Sequence, residues 1–186
     1  MKIVAFGHRA QTGKDTLSGF LATNLRLTSR KINVQVAGFA DELKDASYKW
    51  YSWAGLKRKE HYETNPQDKN IVLQPLGKTV RQLWIEVGNH MRQYDPDVWV
   101  RALLTRPQVD ILLVKDLRFP NEFNMVKELG GYCVKVIRDD VPVLNDEADT
   151  ALKACEDWDL IVDNNGNKDQ LNRKAKMLID TFNLGV

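Results

Sequence analysis

An α/β fold, with a parallel sheet covered by helices on both faces, is predicted by three observations. Short apolar runs alternate with helix-forming segments through nearly all of the 186 residues, the pattern of right-handed strand-helix-strand crossovers. The run Asp110 to Asp116 has an unbroken apolar centre, Ile111 to Val114, and ends in an acid, and 132–137 is apolar but for Lys135; neither alternates, as strands buried on both faces do not. A glycine-bounded turn, Gly7 to Thr16, joins the first apolar run to the first amphipathic segment. With 43% hydrophobic residues, a chain of this length has enough apolar surface for one sizeable core, and a single domain over 1–186 is expected.

Taken in order, Ile3-Val4-Ala5-Phe6 reads as a strand and 14–28 as a helix with Leu17, Phe20, Leu21 and Leu25 on one side. A β-branched run over 33–39 gives a second strand. The segment from Ala40 to about Trp53 opens with Asp41 and Glu42, acids that suit the first turn of a helix. Residues 55–77 are polar, contain Pro66 and Pro75, and keep no period. They read as a long loop or a short helical hairpin, and loops of that length are usually functional or mobile. Helices are then predicted over 78–91 and 96–104, a strand over 110–116, and a helix over 119–129 closed by Gly130-Gly131. A strand at 132–137, a polar loop at 138–148, a short helix at 149–156, a strand at 159–163 and an amphipathic helix at 168–182 complete the chain. There is no internal repeat, low-complexity tract or marked domain boundary.

Composition narrows the function classes. A formal charge of +2 and a pI near 8.5 do not provide the broad basic surface that stable nucleic-acid binding requires. Cys133 and Cys155 have no zinc or disulfide spacing, which fits a reducing cytoplasm. No apolar run approaches the roughly 20 residues of a membrane span, and the N-terminus reads as strand and turn, not as a signal peptide; a soluble protein without membrane partners is expected. His8, His61 and His90 are the only histidines, too few and too scattered for a His-based metal site, and no Ser-His-Asp order stands out.

The chemistry concentrates at Gly7-His8-Arg9-Ala10-Gln11-Thr12-Gly13-Lys14-Asp15-Thr16. Strand, glycine-bounded turn and helix are the context of a phosphate-binding loop, in which backbone N–H groups converge on an anion, the helix presents its positive end, and a lysine reaches the outer phosphates. Gly7, Arg9, Thr12, Gly13 and Lys14 are therefore candidates for binding a nucleoside triphosphate. Two departures are informative. Five residues, instead of four, separate Gly7 from Gly13, so the loop is enlarged. Asp15 stands directly after the lysine and Thr16 is the first hydroxyl, which makes Asp15 and Thr16 the candidate Mg²⁺ ligands, direct or through water. Gly-Lys-Asp-Thr is closer to the Gly-Lys-Gly-Thr of nucleoside monophosphate kinases than to the Gly-Lys-Ser/Thr of switch GTPases. An accidental glycine-rich turn is the bland alternative.

Ligands of parallel sheets bind at the carboxyl ends of the strands. That rule gathers Arg9, Lys14, Lys44, Arg118 and Arg138 against Asp15, Asp41, Asp116 and Glu122, an inventory suited to phosphoryl transfer, which needs in-line positioning and charge neutralisation more than covalent help. Asp116, at a strand end, could accept a Mg²⁺-bound water or a substrate hydroxyl, and Arg118 could fork onto a phosphate. The bland readings are a strand-end cap and an ion pair of Arg118 with Glu122 four residues on. Further upstream, Arg81, Gly88 and Arg92 fall along one side of the 78–91 helix, with Gly88 permitting close approach of a ring or phosphate; a solvated basic edge is the alternative. Trp84 and Trp99 read as core.

These residues together resemble a known family. Gly-Lys-Asp-Thr, Phe39-Ala40-Asp41-Glu42-Leu43-Lys44, the stretch from Arg81 to Trp99, Asp116-Leu117-Arg118 and Asp163-Asn164-Asn165-Gly166 occur in the same order in deoxynucleoside monophosphate kinases of the phage type. The resemblance implies the P-loop kinase three-layer sandwich, with five parallel strands in order 2-3-1-4-5. It implies transfer from ATP, with Mg²⁺, to a deoxynucleoside monophosphate. Lys44, Arg81, Gly88, Asn89, Arg92, Trp99, Asp116, Arg118 and Glu122 would then lie on the acceptor side, Lys14, Arg118 and Asp116 would be catalytic, and Arg138 would sit on a lid-like loop, 138–148, over the phosphates of ATP. Residues 55–77 become an acceptor-side insertion, and a homodimer is possible. The chain departs from the family pattern in its longer phosphate loop, in Asn145-Asp146-Glu147-Ala148 where many relatives have His followed by Ser-Glu, and in the shortness of 55–77. Transfer to another acceptor, such as a modified DNA base or a small metabolite, and non-catalytic nucleotide binding stay open as alternatives.

Overall fold

A computed structural model describes residues 1–105, 108–142 and 147–185. In chain order the elements are β1 (Lys2–Gly7), α1 (Lys14–Thr28), β2 (Val34–Ala37), α2 (Phe39–Tyr51), α3 (Lys59–Thr64), β3 (Val72–Leu73), β4 (Lys78–Thr79), α4 (Val80–Tyr94), α5 (Val98–Leu104), β5 (Ile111–Leu117), α6 (Pro120–Glu128), β6 (Tyr132–Ile137), α7 (Glu147–Thr150), β7 (Leu160–Asp163) and α8 (Lys168–Thr181). The chain divides into two compact units, residues 1–38 with 106–186, and residues 39–105. Among the described residues no helix is long and apolar enough to cross a membrane.

The first unit is built on a five-stranded sheet in the order β2-β5-β1-β6-β7, every neighbouring pair parallel. Its labels differ from the expected 2-3-1-4-5 because β3 and β4 form a separate antiparallel ribbon; counted alone, the five strands run 2-3-1-4-5. Strand periodicity separates the two faces. Val4, Phe6, Leu113, Val134 and Val162 pack with Leu17, Leu21 and Leu25 of α1 and Leu171, Ala175 and Leu178 of α8. Ile3, Ala5, Leu112, Val114 and Cys133 are equally buried but belong to the opposite face. There α6 covers the sheet: Val126 lies so close to Ile3 that a Cβ on Gly131 would meet both within 3.0 Å. Each fully buried leucine contributes about 1.5–3 kcal/mol, so the layered core is the main stabilising term.

The helix ends follow local chemistry. Gly130, at φ 71°, closes α6 as the glycine pair predicts. A helix over 149–156 is not formed; α7 ends at Thr150, and the next bonds, Lys153 N–H to Thr150 O and Cys155 N–H to Leu152 O, have the three-residue spacing of tight turns.

The second unit packs α2 against α4 and α5. Leu43, Val80, Leu83, Trp84, Trp99 and Leu103 are buried in it. Residues 55–77 fold as α3, short 3₁₀ turns and the β3–β4 ribbon. Pro66 is the first residue of one turn and Pro75 the second of another, and Gly55 and Gly77 hold the left-handed conformation at φ 93° and 63°. Helix α4 begins at Val80, not Lys78, because Thr79 caps it: its hydroxyl accepts from Gln82 N–H at 3.2 Å while Gln82 Oε1 accepts from Thr79 N–H at 2.9 Å.

Candidate active site

Since all five strands of the sheet run parallel, their carboxyl ends share one edge, and the loop between β1 and α1 leaves from it. The additional residue of this loop is accommodated by left-handed backbone. His8, Gln11 and Gly13 have φ of 92°, 59° and 96°, two of them without glycine's freedom, so the loop holds local strain. Gly13 is doubly constrained, because a Cβ there would also stand 2.2 Å from Asn164 Nδ2. Asn164, buried just after β7, donates to Thr12 O at 2.9 Å and fixes the loop from the far end of the chain.

Lys14 is 6% exposed and folds back across the loop. Its Nζ donates to the carbonyls of His8 at 3.4 Å and of Arg9, and lies 3.5 Å from the Thr12 hydroxyl. Burial first, and the Arg118 charge second, lower its pKa to about 8. Asp15, Asp149 and Asp116 oppose that shift. Asp15, Asp116, Arg118 and Asp149 therefore lie within electrostatic reach of Lys14 at this edge. Asp116 also stands over the end of β2, where a Cβ on Gly38 would come within 2.5 Å of its Oδ2. Gly7 permits another close approach, its Cβ position being 2.6 Å from the Trp158 ring.

Two candidates are engaged differently from the sequence expectation. The Glu122 carboxylate does not pair with the Arg118 guanidinium; its Oε2 accepts from the backbone N–H groups of Arg118 at 2.8 Å and Phe119 at 3.0 Å, closing the first turn of α6. The Arg118 guanidinium instead lies 3.9 Å from Asp149 Oδ1. Arg138 is half-buried and forks onto the exposed Asp140 at 2.7 and 2.9 Å. Residues 143–146 of the expected lid-like loop lie outside the described residues.

In the second unit α4 gathers the other candidates. Arg81, Gly88 and Arg92 share one helical side, Arg92 Nη1 lying 3.5 Å from a Cβ position on Gly88. Arg92 donates to Asn89 Oδ1 at 3.4 Å, and the buried Trp99 donates its indole N–H to Gly88 O at 3.4 Å. Lys44 pairs with Asp41 at 3.4 Å, and its Nζ stands 5.8 Å from the centroid of the Trp84 ring. Trp84 and Trp99 are core residues, 9% and 6% exposed.

Asp149 and Asn164 were missed as site residues by sequence reasoning. Asn164 stands in the Asp163-to-Gly166 stretch singled out by the resemblance, which was its one signal. Asp149 had none.

The first unit suits Mg²⁺ and a nucleotide. Arg9 Nε is buried and has no hydrogen-bond partner among the described residues, a donor that a phosphate oxygen would satisfy. Asp15 and Thr16 are exposed on the first turn of α1, oxygen donors of the kind Mg²⁺ takes.

A parallel sheet of this order, with a glycine-bounded loop and a buried lysine between its first strand and first helix, has the architecture that the sequence resemblance implies. No family model matches the chain. It is 25% identical over 171 residues, 83% of each chain, to a protein of Acanthamoeba polyphaga mimivirus named "Putative deoxynucleotide monophosphate kinase", in accord with the resemblance read from its motifs. Among solved structures it is similar to the shikimate kinase of Aquifex aeolicus, with 14% identity and a TM-score of 0.41 over 99% of both chains.

Proposed function

We propose that this chain transfers the γ-phosphoryl group of ATP to a deoxynucleoside monophosphate, giving ADP and the diphosphate. The observation that carries the reading is the placement of Lys14 and Arg118 at the edge from which the phosphate loop leaves: Lys14 Nζ donates to Arg9 O within the loop, and Arg118 Nη1 lies 3.9 Å from the Asp149 oxygen that accepts the N–H of Ala10, the next loop residue. Cations so placed repel each other, and shared anionic ligands relieve that repulsion. The name of the mimivirus relative supports the same reaction class.

An oxygen of the acceptor's phosphate attacks the γ-phosphorus, and the bond from that phosphorus to the β,γ-bridging oxygen breaks, ADP leaving with the electron pair. Gly7, Arg9, Thr12 and Gly13 hold the donor phosphates through the loop, and Lys14 neutralises charge on the transferred group after exchanging loop carbonyls for phosphate oxygens. Arg118 holds the acceptor phosphate, and Asp116 would accept a hydrogen bond from a substrate hydroxyl or, with Mg²⁺ present, from one of its waters. Asp15 and Thr16 would hold Mg²⁺, which would supply charge neutralisation to the donor phosphates. Lys44, Arg81, Gly88, Asn89, Arg92 and Trp99 serve acceptor recognition, with Glu122 acting through its hold on the Arg118 backbone. Arg138 serves the donor phosphates after leaving Asp140.

Coupled assays of ADP formation against the four deoxynucleoside monophosphates test the proposal. Turnover is expected on at least one, and Lys14→Met is expected to lower kcat by about 10²–10³-fold while the protein still unfolds cooperatively. A Lys14→Met enzyme with wild-type turnover removes the mechanism. Failure of every deoxynucleoside monophosphate removes the acceptor class.

A further inference from the structure

Asp149 is a buried acid to which the reaction above gives no role. Its side chain is fully buried, and a carboxylate withdrawn from water must be compensated by charge and hydrogen bonds. The compensation comes from two parts of the site at once. Oδ1 accepts the N–H of Ala10 at 2.5 Å, and the same oxygen lies 3.9 Å from Nη1 of Arg118. Ala10 stands between His8 and Gln11, the two non-glycine residues of the loop with positive φ, so the bond holds the strained crest of the loop. The contact to Arg118 is ionic and too long for a hydrogen bond. Among the described residues the Arg118 guanidinium makes no hydrogen bond and one ion pair, leaving its donors to a phosphate while its position is fixed by charge.

We infer that Asp149 is a positioning residue that ties the crest of the phosphate loop to Arg118 through one carboxylate oxygen, so that donor and acceptor phosphates are registered against each other. The inference rests on the kinase reading for Arg118, whereas the loop half stands on the Ala10 bond alone. Loss of the charge and loss of the acceptor are separable. Asp149→Asn retains an oxygen for the Ala10 N–H but gives up the ionic hold on Arg118; Asp149→Ala gives up both.

The test is steady-state kinetics of the full chain, with thermal unfolding to establish that each variant is folded and hydrogen exchange read at Ala10. Asp149→Asn is expected to keep the KM for ATP within about twofold and to lower kcat about tenfold. Asp149→Ala is expected to raise the KM for ATP about tenfold as well and to speed exchange at Ala10 by a similar factor. In an Arg118→Ala background, Asp149→Asn should lower kcat no further, since the two act as a unit. Full multiplication of the Asp149→Asn and Arg118→Ala effects overturns the link, and so does a folded Asp149→Ala protein with unchanged ATP KM and unchanged Ala10 exchange. A wild-type protein inactive on every deoxynucleoside monophosphate overturns the kinase reading instead; Ala10 exchange and calorimetric ATP affinity in the two variants then decide the loop half.

Discussion

His8 shows what the loop's enclosure does to an ionisable side chain. Burial first, then the charges of Lys135, Arg9 and Lys14, lower its pKa from 6.5 to about 4, with Asp149 opposing. Between those values the folded state binds fewer protons than the unfolded chain, so this contribution to stability grows as pH rises through the window and is lost as pH falls toward 4. The imidazole is only half-buried, and after discounting for solvent screening the effect is about 1–2 kcal/mol. Urea unfolding from pH 7 to 4.5 should therefore fall more steeply for wild type than for His8→Gln, and identical slopes would mean that the imidazole is not held neutral. The same loop shows which residues a sequence discloses. Lys14 and Gly13 announce themselves by motif, and Asp116 and Arg118 by standing at a strand end. Asp149 and Asn164 reach the loop across 139 and 152 residues, a separation at which no period or spacing links them to it.

At the scale of elements, α4 carries Arg81, Gly88, Asn89 and Arg92, and its start is fixed by the reciprocal bonds of Thr79 and Gln82. Thr79→Ala removes the hydroxyl acceptor and should cost about 1 kcal/mol in urea unfolding. Thr79→Ser should restore most of it. Equal loss in both would show that the methyl packing of Thr79, not its hydroxyl, matters. Apolar periodicity made this helix legible over 78–91, but periodicity does not report caps, and its observed start at Val80 was set by Thr79. Residues 55–77 were opaque for another reason. Their order comes from proline-containing turns, left-handed glycines and a two-residue-per-strand ribbon, each too short to imprint a repeating pattern.

For the molecule as a whole, alternation of strand and helix disclosed the parallel sheet, because strands buried on both faces read as apolar runs, unbroken from Ile111 to Val114 in β5 and interrupted only by Lys135 in β6. The compact unit of residues 39–105 was not legible, since its helices have the same amphipathic composition as the rest and no glycine-, proline- or serine-rich linker marks residues 38 or 105. Ligand linkage then makes a prediction that distinguishes the units. ATP bound only to the folded loop stabilises by RT ln(1 + [ATP]/Kd), about 2.7 kcal/mol at a hundredfold excess over Kd. For a chain of this size that raises Tm by about 5–10 °C. Lys14→Met should abolish most of the rise. Because the loop, Asn164 and Asp149 all belong to the unit containing the sheet, ATP should slow amide exchange in β1, α1 and the Asn164 segment more than in α4. Protection of α4 alone, or an equal Tm rise in the Lys14→Met protein, would place ATP away from the loop, since a ligand stabilises first the structure whose unfolding destroys its site.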